Sequence, residues 1–182
     1  MLASFDQWRH ELLAPFASLA DFFDAGGPVL VVIFITALVM WSLIIERYWY
    51  FRRLFPAQQE AMRAAWAARS ERKSWFARRI RTQMISEARL AMSANLPVMR
   101  AIIPLCPLLG LMGTVVGMLE VFDVMSLKGR ADAQTMASGV SQAMIATMAG
   151  LAVSLSGMYP IQMFEARARR EAEQLNDVLV YE

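Results

Sequence analysis

Pro104-Leu-Cys-Pro107-Leu-Leu-Gly110-Leu-Met-Gly113-Thr114-Val-Val-Gly117 is the stretch whose reading decides the fold. It is apolar throughout, has two prolines at its entry, and carries glycines three and four residues apart. Gly113 and Gly117 form a small-xxx-small pair, with Gly110 one turn earlier. Such a pair lets a second helix backbone approach closely where lipid supplies no hydrophobic drive for association. Thr114 is the one hydroxyl in the middle of this run. Helix packing needs the glycines; it does not need the threonine.

The composition around this run points the same way. Of 182 residues, 57% are hydrophobic and 19% charged, against about a quarter charged in soluble domains. The mean hydropathy is +0.38. The expectation is an all-α integral membrane protein with three transmembrane helices whose ends extend into water. The single cysteine, Cys106, excludes an internal disulfide. The single histidine, His10, excludes a histidine-rich metal site. No metal or cofactor is expected.

Residues 1–25 do not read as a signal peptide. They lack a basic start ahead of an apolar core, and Asp6, Glu11, Asp21 and Asp24 interrupt them. Phe5, Trp8, Leu12, Phe16, Leu19 and Phe23 recur at steps of three and four, the period of one helix face. This predicts an amphipathic helix lying on the outer membrane surface. Gly26-Gly27-Pro28 breaks the pattern. Residues 28–50 form the first span, charge-free to Ile45, which suffices to cross ~30 Å of hydrocarbon at ~1.5 Å per residue. Glu46, Arg47, Tyr48, Trp49 and Tyr50 make a charged and aromatic collar at its end.

Residues 51–100 are a basic helical region, with good helix formers over Ala57–Ala68 and Trp75–Met92. Its arginines read as a solvated face that also meets anionic headgroups of the lipid bilayer. No recognition motif supports nucleic-acid binding. Residues 101–122 are the second span; its prolines are tolerable where neighbouring helices support the break. Glu120, near its end, reads as an interfacial carboxylate. Residues 123–135, with Lys128-Gly129-Arg130, form a loop. Residues 136–164 are the third span, free of formal charge and longer than one crossing needs. Residues 165–182 continue as a charged helical tail.

Orientation follows from the cations. With three crossings, the basic region and the tail share one side, and with Arg47 they hold fifteen of the eighteen Lys and Arg residues. Only Arg9, Lys128 and Arg130 lie opposite. The positive-inside rule then predicts an outer N-terminus and a cytoplasmic C-terminus.

No enzyme motif is present: no phosphate-binding loop, no HExxH, no Cys/His cluster. Gly139-Val-Ser141-Gln-Ala has the outline of a serine-nucleophile turn but lies inside a predicted helix. In the third span Ala143, Thr147, Gly150 and Ser154 fall at steps of four, three and four, one stripe of small residues and hydroxyls. Gln142, five residues before Thr147, lies roughly 140° away and faces another helix. The stripe alone suits helix packing through Ala143 and Gly150. A second span with its own threonine among glycines points as well to a narrow, mildly polar pore lined by Thr114, Thr147, Ser154 and Gln142.

At these residues the chain resembles the MotA/TolQ/ExbB proton-channel family. The resemblance rests on Pro107–Gly117 and on Gln142-Ala-Met-Ile-Ala-Thr147-Met-Ala-Gly150-Leu, and covers roughly Pro104 to Pro160. The short three-span form is most similar to ExbB. The resemblance implies an inner-membrane homo-oligomer, a pentamer, with its second and third helices around a central pore. It also implies an ExbD-like partner supplying a membrane aspartate and a TonB-like protein carrying the work to outer-membrane receptors. Thr114 and Thr147 match the family's pore threonines. Many relatives carry glutamate at Gln142, so this chain departs from the pattern where a proton could be held. A TolQ-like role in envelope integrity and a non-conducting membrane scaffold are the alternatives.

Overall fold

The structure, a computed structural model, describes residues 2–69, 71, 74–128 and 133–178, and for 2–20, 128, 135 and 178 the backbone alone. Gly129 and Arg130, Arg72 and Lys73, residues 179–182, and the apolar side chains of Phe5 to Leu19 fall outside what it describes, as does the side chain of Lys128. Its elements are α1 (Leu2–Trp49), a π-helical turn (Tyr50–Leu54), α2 (Phe55–Ala67), α3 (Trp75–Ser93), α4 (Leu96–Lys128) and α5 (Ala133–Val178). Among the described residues regular structure is helical throughout, and three helices are long and apolar enough to cross a membrane. α4 runs to Lys128 and α5 starts at Ala133, so helix takes up most of the segment read as a loop.

The helix assigned to α1 contains one non-helical residue, Gly27, at φ 68° and ψ −171°. An L side chain is strained there, and the break falls inside the Gly26-Gly27-Pro28 interruption. Pro104 and Pro107 leave α4 continuous. They lack the N–H that would close a bond to the carbonyl four residues back, so Arg100 and Ile103 lose their usual helical donors.

The chain forms two compact units. One joins the chain up to Leu38 with Pro104–Leu155; the other joins Val39–Ile103 with Ser156 onward. In the second unit Phe51 of the π turn is buried and stacks on Phe164 at 5.9 Å between ring centroids. Trp66, Ala77 and Ile85 bury a small cluster between α2 and α3. Ser74 caps α3 by accepting from the Ala77 N–H at 3.2 Å.

Arg47 departs from the collar it was read into. Tyr48 and Trp49 are exposed, but Arg47 is only 4% exposed. Its guanidinium donates to the carbonyls of Ala91 at 2.8 Å and Met92 at 3.4 Å, and to Glu46. These are last-turn carbonyls of α3, which have no intrahelical partner, and a cation there also suits the helix dipole. Asn95, at φ 63°, turns the chain into α4 and donates to Glu46 at 3.1 Å. One buried arginine thereby ties α1 to the α3–α4 corner.

Candidate functional site

The first unit holds the glycine-rich run of α4 against the small-residue stripe of α5, and the two backbones are close. A Cβ added to Gly150 would lie 2.5 Å from the Cys106 carbonyl oxygen and 3.1 Å from the Cα of Gly110. One at Gly113 would lie 2.4 Å from the Ala146 Cβ, and one at Gly117 3.0 Å from the Gly139 carbonyl. The contacts step down α4 as they step up α5, an antiparallel seam. Ala143, Ala146, Gly150 and Ser154 are buried along it. Small side chains at every crossing let dispersion contacts form over the whole length.

Thr147 sits half-buried in this seam. Its Oγ1 lies 3.1 Å from the Ala143 carbonyl, four residues back, and 3.2 Å from the Gly110 carbonyl on α4. A hydroxyl has one proton, so these two acceptors share it. Gly110 is the residue that lets the donor reach across, because a Cβ there would stand 3.1 Å from the Thr147 Cα. The hydroxyl keeps its oxygen lone pairs available while its hydrogen is committed to backbone.

Thr114 is placed differently. Its Oγ1 donates to the Leu111 carbonyl at 2.7 Å. It borders a shallow cavity of about 310 Å³ whose other lining is Val115, Met118, Leu119 and Phe122, all of α4. Thr147 is not part of that cavity's lining. Ser154 is buried on the same stripe as Thr147 and Gly150.

Gln142 lies on neither feature. Its side-chain amide occupies the space beside Gly27 of α1: a Cβ built there would be 1.9 Å from Nε2 and 2.9 Å from Cδ. The reading of Gln142 as facing another helix has this counterpart. That the other helix is α1, at its break, has no signal in the spacing of either segment. Arg47 was also missed, although Met40, Ile44, Arg47 and Phe51 fall on one buried stripe at steps of four, three and four.

Three bilayer-length helices, two of them joined by a glycine seam that holds a threonine hydroxyl, define a multi-pass membrane protein. Residues 52–177 match the profile of the MotA/TolQ/ExbB proton channel family. The chain belongs to that family, whose members are transport and energy-transduction components rather than an enzyme class.

Among curated relatives, the chain is 26% identical to the biopolymer transport protein ExbB-like 1 of Synechocystis sp., over 87% of this chain and 74% of that protein. It is 38% identical to the biopolymer transport protein ExbB of Helicobacter pylori over 39% of this chain and 49% of that one. With the biopolymer transport protein exbB1 of Vibrio cholerae it shares 32% identity over 53% of this chain and 43% of the other. The matched region thus spans less than half the length of the latter two relatives. No solved structure matches the chain.

Proposed function

We propose that this chain is the ExbB-like subunit of a motor in the bacterial inner membrane, driven by the proton-motive force, that energises TonB-dependent transport across the outer membrane. The observation that carries the reading is the α4–α5 seam, in which the Thr147 hydroxyl spans the two helices through Gly110 and Ala143. In the proposed assembly five copies surround a pore, and an ExbD-like partner places a membrane aspartate inside it. A TonB-like protein takes up the motion. The N-terminus lies outside and the C-terminus in the cytoplasm.

The chemistry of the spans supports this division of labour. From Ala101 to Leu119 and from Met136 to Phe164 the chain has no Asp, Glu, His, Lys or Arg, and its only ionisable side chains there are the buried thiol of Cys106 and the phenol of Tyr159, close to the end of the third span. A group that loads and releases protons at mid-depth must then come from a partner. An intramembrane carboxylate costs on the order of 2.5–3.5 kcal/mol on insertion scales. A hydroxyl whose hydrogen is given to backbone can accept from the protonated acid, and one that turns from backbone can donate to the carboxylate, in neither case pinning the charge in a salt bridge. Thr114, Thr147 and Ser154 supply that lining, and Gly110, Gly113, Gly117, Ala143 and Gly150 hold the helices in place. Each proton crossing delivers ~2.3 kcal/mol per 100 mV, so a working stroke draws on several.

Replacing Thr147 with valine keeps the volume and removes the hydroxyl. The expected outcome is loss of TonB-dependent uptake with the purified complex intact, and recovery with Thr147→Ser. Interhelical hydrogen bonds in membranes average only about 0.6 kcal/mol, so assembly should survive. Full uptake by Thr147→Val would overturn the reading. Detergent sensitivity of a deletion strain, with uptake unimpaired, would transfer the chain to envelope integrity.

A further inference from the structure

Where α4 and α5 meet the edge of the hydrocarbon, the second unit carries a groove of about 550 Å³. The apolar run of α4 begins after Arg100 and that of α5 ends at Phe164, before Glu165. Arg100 and Glu165 form an ion pair with each other, which marks one level on both helices. At ~1.5 Å per residue, Pro97 on α4 stands about 4.5 Å and Arg169 on α5 about 6 Å further out. The headgroup layer on each side of a bilayer is about 5–7 Å thick. The groove therefore lies at the depth of lipid phosphates.

Its lining suits such a group. Arg169 enters from α5 and Arg89 from α3, while Leu96, Pro97, Ala168 and Ala172 provide an apolar floor. Arg100 is already neutralised by Glu165. Arg89 and Arg169 are both exposed, and among the described residues neither has a carboxylate within ion-pair distance. Glu173 closes the far end. Two guanidiniums with no carboxylate in ion-pair contact, above an apolar surface and at phosphate depth, match a headgroup phosphate with its glycerol and first methylenes. A basic pocket between spanning helices is a setting in which acidic lipid headgroups bind, and guanidinium geometry favours phosphate.

We propose that this groove is a binding site for the phosphate of an anionic phospholipid, held by Arg89 and Arg169. The site stands on the level of the two helices and is independent of the proton pathway. A lipid seated there links α3 to α5 on the side of the basic region.

The full chain, purified with its co-purifying partners into zwitterionic nanodiscs, would be titrated with phosphatidylglycerol and its thermal melting followed. A saturable rise in Tm is expected with phosphatidylglycerol and not with phosphatidylcholine. Arg89→Gln with Arg169→Gln should raise the half-saturating concentration about tenfold or more, while the paired lysine variants keep most of the response. Arg53→Gln with Arg63→Gln removes the same charge from exposed positions outside the groove and should change it less than about twofold. An equal loss in both glutamine pairs would overturn the site in favour of diffuse attraction. Inorganic phosphate reproducing the full shift would make it a free-anion site and not a lipid site. Absence of any phosphatidylglycerol response would refute it, leaving the groove to a protein segment.

Discussion

Gly150 and Gly157 are a turn or two apart on α5, yet the space beside them differs in kind. A Cβ on Gly150 would meet the Cys106 carbonyl oxygen at 2.5 Å and the Gly110 Cα at 3.1 Å, which are backbone atoms of α4. They can yield only if the two helices separate. A Cβ on Gly157 would meet the Met40 Sδ at 2.3 Å and its Cε at 3.0 Å. An unbranched thioether can turn aside. Alanine also gains up to about 1 kcal/mol over glycine within a helix. Gly150→Ala is thus expected to destabilise the purified protein by about 1–3 kcal/mol, the usual cost of overpacking. Gly157→Ala should lie close to wild type. Thermal melting of the two variants side by side checks this; equal loss in both would show that the α4–α5 seam is no tighter than its surroundings.

At the scale of elements, the break in α1 is fixed by contacts on either side of it. Phe23 before the break packs edge-on against Phe34 after it, 5.2 Å between centroids. Gly26 leaves room for Leu30, and Gly27 leaves room for the Gln142 amide from α5. Gly27→Ala meets two penalties: a positive φ with ψ near 180°, an essentially glycine-only conformation that costs roughly 1–3 kcal/mol, and collision with Gln142. Gln142→Ala removes the second and leaves the first. Gly27→Ala should therefore lower Tm, and Gln142→Ala added to it should restore part of the loss, a non-additive pair by double-mutant cycle. Additive effects would mean the amide can move away freely. The break itself was legible, because Gly-Gly-Pro leaves the chain few alternatives. So was the α5 stripe, because a period of 3.6 converts sequence steps directly into a face. The Gln142–Gly27 contact was not legible, since local spacing carries no information on which helix stands opposite. Arg47 was missed for a related reason: arginine beside aromatics at the end of a span fits a headgroup collar equally well, and only the arrival of α3 carbonyls selects burial.

At the scale of the whole molecule, the spans show how many times the chain crosses but not in which direction. Direction rests on charge: fifteen of eighteen cations fall in the first-span collar, the basic region and the tail, and basic segments near span ends stay on the cytoplasmic side. The topology proposed above, with three crossings, leaves the helix before Gly27 outside. Asp21 and Arg63 are both exposed and lie on either side of the first span, so each reports one compartment. With Cys106 replaced by alanine, Asp21→Cys is expected to react with a membrane-impermeant maleimide in intact spheroplasts. Arg63→Cys should react only after permeabilisation. The opposite pattern would invert the molecule. It would then place Arg89, Arg169 and the basic region outside, away from the acidic inner leaflet surface, and would put the groove at the headgroups of the other leaflet. It would also turn the α4–α5 seam end for end relative to the proton gradient. The labelling pattern therefore decides the topology and the direction in which protons would pass Thr147 and Thr114.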